Sequence, residues 1–231
     1  MNNTNLVSII LSAYNSEKTI EKAVNSLLNQ SYTNLEILIL DDGSTDKTKE
    51  ICMNYTKKDN RILFFSNNQN IGLTKSLNIL AKLSKGEFIA RQDADDISLP
   101  NRIEKQIRFL ESYKLDATTT RSLVMQSNKK RPGYSFYIPN KLLIKFKNPF
   151  VHGSLLIKKN ILIEIGYYDE NFYYAQDYKL FYDLIYAGYK IKTLNEPLYL
   201  LNIENNISAN NLEEQNYYAN CVKSSTEPVK F

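Results

Sequence analysis

Three aspartates in four residues, Asp93-Ala94-Asp95-Asp96, carry the strongest chemical signal in the chain. If they end a strand, the i, i+2 spacing aims Asp93 and Asp95 to one side. Two carboxylates held that close repel each other. A hard divalent cation, Mn²⁺ or Mg²⁺, would neutralise them, and such ions are commonly held by one or two protein carboxylates together with substrate phosphates. The competing reading is structural: Asp95 and Asp96 also suit the caps of a turn and helix. A second acidic cluster, Asp41-Asp42-Gly43-Ser44, has the composition of an Asx-capped turn. An acidic side chain there could equally accept hydrogen bonds from a nucleobase N–H or from ribose hydroxyls. Tyr14, in Ser12-Ala13-Tyr14-Asn15, reads either as a half-buried aromatic or as a platform on which a base stacks.

The elements around these clusters say where they sit. Leu6–Leu11 and Leu35–Leu40 are nearly continuous apolar runs, the pattern of strands buried on both faces of a parallel sheet. Between them Ile20, Ala23, Val24, Leu27 and Leu28 recur at helical spacing. A helix over about 47–57, a strand at Ile62–Phe65, a helix opened by Gly72 and a strand at Glu87–Ala90 follow, and then a helix with Pro100 in its first turn. This alternation predicts an α/β fold with a mainly parallel, Rossmann-like sheet flanked by helices. Ligands of such sheets bind beyond the carboxyl ends of the strands. Three of the first four strands end in the polar clusters above.

Beyond residue 115 the pattern is looser. A strand over Thr118–Gln126, a turn at Lys129–Gly133, a helix over Asn140–Lys147, a strand at Gly153–Ile157, a helix over Asp177–Ala187, a strand at Ile191–Leu194 and a helix over Asn211–Val222 are expected. No linker separates independent domains, so residues 1–115 and 116–231 read as two halves of one domain.

Composition narrows the chemistry. The 231 residues carry 29 Lys and Arg against 25 Asp and Glu, a net +4, too mild for a nucleic-acid surface. Cys52 and Cys221 lie far apart, which suits a thiol-reducing compartment. With His152 as the only histidine, a multi-histidine zinc site cannot be assembled. No apolar run reaches the ~20 residues that span a bilayer, and Met1–Asn5 lacks the features of a signal peptide. A cytoplasmic location is expected, peripheral to the membrane at most. Neither a G-x-G-x-x-G nor a P-loop occurs, so a bound nucleotide must have its phosphates held by a carboxylate-bound metal.

Taken together, the blocks Val7–Asn15, Asp41–Asp46, Asn70-Ile71-Gly72-Leu73 and Asp93–Asp96 resemble, in order and spacing, the family 2 glycosyltransferases of the GT-A fold. The resemblance covers about the first 110 residues. It implies inverting transfer of a sugar from a nucleotide-sugar donor, usually a UDP-sugar, to an acceptor hydroxyl. By position, Ser12, Tyr14 and Asp42 would contact the nucleotide, Lys75 would lie near the base or phosphates, and Asp93 and Asp95 would form the D-x-D pair that holds metal and donor. More loosely, His152-Gly153-Ser154 resembles a block in which a histidine approaches the metal-bound diphosphate. Ala175-Gln176-Asp177 resembles the stretch carrying a Glu-Asp pair. Gln176 departs from that pair and leaves Asp177 as the catalytic base. Tyr173 and Tyr174, just before it, are candidates for stacking on an acceptor saccharide, free or lipid-linked.

Lys141, Lys145 and Lys147 flank Leu142, Leu143, Ile144 and Phe146 in an amphipathic stretch. It reads either as a solvated helix face or as a contact with an anionic membrane bearing a lipid-linked acceptor. Three other functions compete with the transferase. A sugar-phosphate nucleotidyltransferase would need a glycine-rich loop after the first strand, where Ser12–Ser16 has none. A phospho-acceptor signalling domain leaves the second hundred residues unexplained. A non-catalytic nucleotide- or glycan-binding module is favoured only by Gln176.

Overall fold

The computed structural model describes residues 5–204 and 211–229; Met1–Thr4 of the polar N-terminal stretch lie outside the described residues. Strands β1 (Val7–Ala13), β2 (Leu35–Asp41), β3 (Ile62–Ser66) and β4 (Phe88–Asp93) are all parallel, in the order β3-β2-β1-β4. Between β1 and β4 the direction of strand addition reverses, which makes that edge a topological switch point. Helices α1 (Ile20–Leu28), α2 (Thr48–Thr56) and α3 (Leu73–Leu83) supply the crossovers.

Each central strand buries both faces. Val7, Ile9, Leu11, Ile37, Ile39 and Ala90 pack with α1, α2 and α4 (Arg102–Ser112). Ile10, Leu38, Leu40 and Ile89 pack with α3, α6 (Lys159–Glu164), α7 (Gln176–Tyr186) and α8 (Leu212–Ser224) on the other side. This explains why the strands read as unbroken apolar runs.

The sheet continues β4-β8-β6-β9-β5, formed by β5 (Ile97–Ser98), β6 (Ala117–Val124), β8 (Leu156–Lys158) and β9 (Ile191–Leu201), with β7 (Lys130–Arg131) on β6. Strands from both sides of residue 115 therefore share one sheet. Among the described residues only β5, β7 and β8 run against their neighbours, so the sheet is mixed but mainly parallel, as the sequence predicts.

Several elements differ from expectation: the strand expected at Gly153–Ile157 begins only at Leu156, after a 3₁₀ turn at His152–Ser154, and the turn expected at Lys129–Gly133 contains β7. The helix expected over Asn140–Lys147 ends early, as α5 (Asn140–Leu143). The Ile144 carbonyl accepts the Tyr178 hydroxyl at 2.6 Å, and Pro149 lies just beyond. Strand β9 runs seven residues past Leu194, held by β6 alongside. Among the described residues no helix is long and apolar enough to cross a membrane. Both cysteines are free and buried.

Candidate active site

Strand register sets the site. Parallel pairing places Ser12 of β1 opposite Asp93 of β4, and Ala13 opposite Asp41 of β2. The chain leaves β4 at Asp93 and turns, the Asp96 amide donating to the Asp93 carbonyl at 3.4 Å. The three carboxylates are thus crowded by a turn and not, as expected, by the alternation of an extended strand. Burial, and then the negative charge of Asp93, pushes the Asp95 carboxyl up to about 6. Asp96 is raised by burial and by both neighbours. Its carboxylate is consumed inside the fold, accepting the Asn202 amide at 2.6 Å and a bond from the Tyr199 hydroxyl. Gln92 braces the turn, donating to the carbonyls of Asp93 (3.0 Å) and Asp96 (2.9 Å). Asp93 and Asp95 stay half-buried.

Two residues before Asp93, and so on the same face of β4, lies Arg91. It is almost fully buried and ion-paired to Asp93 Oδ2. Its charge reaches the second half of the chain. Burial first, and then the Arg91 charge, hold His152 well below the usual imidazole range, and the same charge opposes the rise that burial gives Asp177. His152 Nε2 lies 2.8 Å from the Tyr168 hydroxyl. The Tyr168 phenol is pushed up first by burial and then by the charges of both Asp177 and Asp93. One phenol therefore feels the carboxylate of each half.

Ala175 adopts the left-handed conformation (φ 53°) and turns the chain into α7, which puts Asp177 in the first helical turn. Asp177 Oδ1 accepts the Tyr178 amide and Oδ2 accepts the Asn148 side-chain amide, both at 2.8 Å. Burial raises its pKa; these two bonds and Arg91 pull the other way.

On the other side of β1, the buried Asp42 organises a loop. Its Oδ1 accepts Asn67 Nδ2 (2.8 Å) and the Ile71 amide (3.0 Å), and Oδ2 accepts the Gly72 amide (2.9 Å). Gly72, at φ 94°, has the Tyr173 ring where a Cβ would meet it at 3.0 Å. Tyr173, expected on the acceptor side, thus lies over the loop that Asp42 holds. Tyr174 stands edge-on to it, ring centroids 5.0 Å apart. Lys75 is exposed in the first turn of α3, and Tyr14 is half-exposed beyond β1. Asn15 fastens this loop to the one after β2: its backbone N–H donates to Ser44 Oγ and its Oδ1 accepts the Thr45 amide, each at 2.9 Å.

Sequence reasoning missed Arg91, Asn148, Tyr168, Tyr199 and Gly153. Only Arg91 carried a readable signal, a cation two residues before Asp93 on a strand. Gly153 shows its role in space: a Cβ there would overlap the Tyr199 hydroxyl and sit 2.6 Å from Asp93 Oδ2. The glycine lets the His152–Ser154 turn pack directly against the Asp93 carboxylate and the Tyr199 hydroxyl. Arg102, fully buried, fixes this contact by donating to the carbonyls of Gly153 and Arg91, each at 3.0 Å.

Among the described residues no three His, Cys, Asp or Glu side chains form a metal cage. The donor set suits an ion that takes one or two carboxylates and completes its shell with substrate oxygens. The mutual repulsion of Asp93 and Asp95, which with burial holds the Asp95 carboxyl above its ordinary range, fits such an ion.

The sequence profile described as Glycosyl transferase family 2 matches residues 8–168. The chain belongs to glycosyltransferase family 2. The matched span holds Ser12, Tyr14, Asp42, Lys75, Asp93, Asp95 and His152, and stops short of Tyr173, Tyr174 and Asp177. This glycosyltransferase is 33% identical over 233 residues to the UDP-Glc:alpha-D-GlcNAc-diphosphoundecaprenol beta-1,3-glucosyltransferase WfaP of Escherichia coli, covering 95% of this chain and 86% of that one. Its fold is like that of S. aureus TarS solved with UDP-GlcNAc (TM-score 0.76, 22% identity, 89% of this chain and 60% of that one). It is also like the mannosyltransferase PcManGT of Pyrobaculum calidifontis, solved with GDP-Man and Mn²⁺ (TM-score 0.73, 19% identity, 96% of this chain and 65% of that one). The chain spans less than two thirds of the length of either solved structure. These likenesses carry the GT-A fold.

Proposed function

We propose that this glycosyltransferase moves a sugar from a nucleotide-sugar, a UDP-sugar, to a hydroxyl of a saccharide or lipid-linked saccharide, with inversion and with Mn²⁺ or Mg²⁺. The observation that carries this reading is that Asp93, at the end of β4 and ion-paired to the buried Arg91, lies against the His152–Gly153 turn, which packs through the His152 ring on Phe181 of α7, the helix that opens with Asp177.

Ser12, Tyr14, Asp42 and Lys75 would frame the donor nucleotide. Asp93 and Asp95 would hold the cation, which when bound neutralises charge on a departing nucleoside diphosphate; His152, expected beside them, pairs with the Tyr168 hydroxyl and makes no three-residue cluster with them among the described residues. Asp177 takes the proton of the acceptor hydroxyl as that oxygen bonds to the anomeric carbon and the carbon–phosphate-oxygen bond breaks. Burial lifts its basicity toward working pH, which favours general-base catalysis. The positive end of α7 and the Asn148 amide keep the ionised form accessible. Attack opposite the leaving group inverts configuration and needs no covalent intermediate. With Gln176 in place of an acid, Asp177 acts alone. Tyr174 would stack on the acceptor sugar, while Tyr173, against Gly72, would stand between the acceptor and the donor loop.

A uridine donor is supported by WfaP's name and by the TarS complex, and a cation by the mannosyltransferase complex. WfaP's diphosphoundecaprenol acceptor points to surface-polysaccharide or lipid-linked oligosaccharide assembly. The buried, unpaired thiols agree with a cytoplasmic site of action.

The test begins with a thermal-shift screen of nucleotide-sugars with and without Mn²⁺. NMR of the product's anomeric proton then reads stereochemistry. A UDP-sugar stabilising only with metal, and an α-donor giving a β-glycoside, are expected. Retention of configuration, or pyrophosphate release from a nucleoside triphosphate, would overturn the proposal.

A further inference from the structure

From residue 117 to residue 163 the sequence has nine Lys and Arg and no Asp or Glu; against a whole-chain charge of +4, the remainder carries −5. Six of those cations, Lys129, Lys130, Arg131, Lys141, Lys145 and Lys147, are exposed and make no ion pair among the described residues. Between them stand side chains that a water-facing surface does not favour. Tyr134 is 95% exposed, Phe146 72% and Leu142 55%, with Tyr137 and Ile138 beside them.

This segment is anchored from below. Arg121 donates to the Pro132 carbonyl at 3.1 Å and lies 5.0 Å from the Phe136 ring centroid. Leu143 and Ile144 are buried. The Tyr178 hydroxyl holds the Ile144 carbonyl. The outward aromatics therefore belong to a fixed surface.

We propose that residues 129–147 form a docking surface for an anionic phospholipid membrane, with the six cations at the headgroups and Tyr134, Tyr137, Leu142 and Phe146 in the interface. Charge alone would also suit a polyanion in solution. The interleaved aromatic and aliphatic side chains favour lipid, because they gain only where there is an apolar layer to enter. The surface ends at Asn148, whose amide holds Asp177. A lipid-borne acceptor would therefore arrive at the acceptor-side carboxylate, a last link that rests on the transferase reading.

Co-sedimentation of the full chain with vesicles, without donor or acceptor, tests the surface apart from activity. Binding to phosphatidylcholine–phosphatidylglycerol vesicles, weakened by salt, and little binding to phosphatidylcholine alone are expected. Each cation near an anionic surface contributes about fivefold in affinity (~1 kcal/mol), so Lys141→Gln, Lys145→Gln and Lys147→Gln together should lose on the order of 100-fold. Tyr134→Ser, Tyr137→Ser and Phe146→Ser together should also weaken binding. Circular dichroism should show both variants folded. The chain has no Trp, so Phe146→Trp gives a clean reporter whose emission should shift blue on the mixed vesicles. Equal binding to both vesicle types, an unshifted Trp, or capture of heparin without vesicle binding would overturn the proposal.

Discussion

Replacing Asn148 with Ala tests whether Asp177 is the group whose ionisation limits turnover. The Asn148 amide donates to Asp177 Oδ2 at 2.8 Å and favours the charged carboxylate against the burial that raises its pKa. A hydrogen bond to a charged group is worth about 1.5–3 kcal/mol, and one pKa unit corresponds to about 1.4 kcal/mol. The carboxylate is half-buried, so the low end applies and the variant's pKa should rise by roughly one unit. A base works ionised, so activity falls as pH drops through that pKa. The acid limb of kcat/KM for nucleotide release should then move up by roughly one pH unit, with near-wild-type activity on the high-pH plateau. Asn148 Oδ1 also accepts the Phe150 amide at 3.0 Å, so a fall in melting temperature of a few degrees accompanies the change. An acid limb that stays put in a folded variant, or a loss by the same factor at every pH, would refute the reasoning.

Three further outcomes follow from the geometry. Gly153→Ala places a Cβ against Asp93 and Tyr199; metal-dependent nucleotide binding by calorimetry should fall, with a stability loss of ~1–3 kcal/mol from overpacking. Asp42→Asn sets an NH₂ against at least one of the three donors on that carboxylate; a loss of about 1–3 kcal/mol in chemical denaturation and weaker nucleotide binding are expected. Asp95 titrates in the fold at about 6, above an ordinary aspartate; stability it contributes is full below its unfolded pKa and fades as pH rises through about 6. Mn²⁺ with UDP should therefore raise the melting temperature more at a pH near 7.5 than near 5, and calorimetry in buffers of different ionisation enthalpy should show proton release on binding.

Strands β1, β2 and β4 were legible because their runs are buried on both faces, so pattern and burial agree; β3, at the sheet edge, is only partly buried and was legible from its short apolar run. The acidic clusters were legible because β1, β2 and β4 end at one sheet edge. What escaped depended on contacts distant in sequence. Asn148 meets Asp177 29 residues on, and Tyr199 meets Asp93 106 residues away. Nothing local in Asn148 or Tyr199 announces those partners. The helix predicted over Asn140–Lys147 failed for a similar reason, since Tyr178 takes the carbonyl that would have continued it. The turn after Asp93 defeated the strand rule applied to Asp95, although the charges still meet.

In the proposed mechanism Asp93 and Asp177 serve one reaction from two sides. Side-by-side calorimetry of UDP with Mn²⁺ and turnover of a matched donor and acceptor, for Asp93→Asn and Asp177→Asn, tests this directly. Asp177→Asn should keep nucleotide affinity within a few-fold while losing about 10²–10⁴ in turnover, and Asp93→Asn should lose both. Unimpaired turnover in Asp177→Asn, or equal loss of nucleotide binding in the two variants, would contradict it.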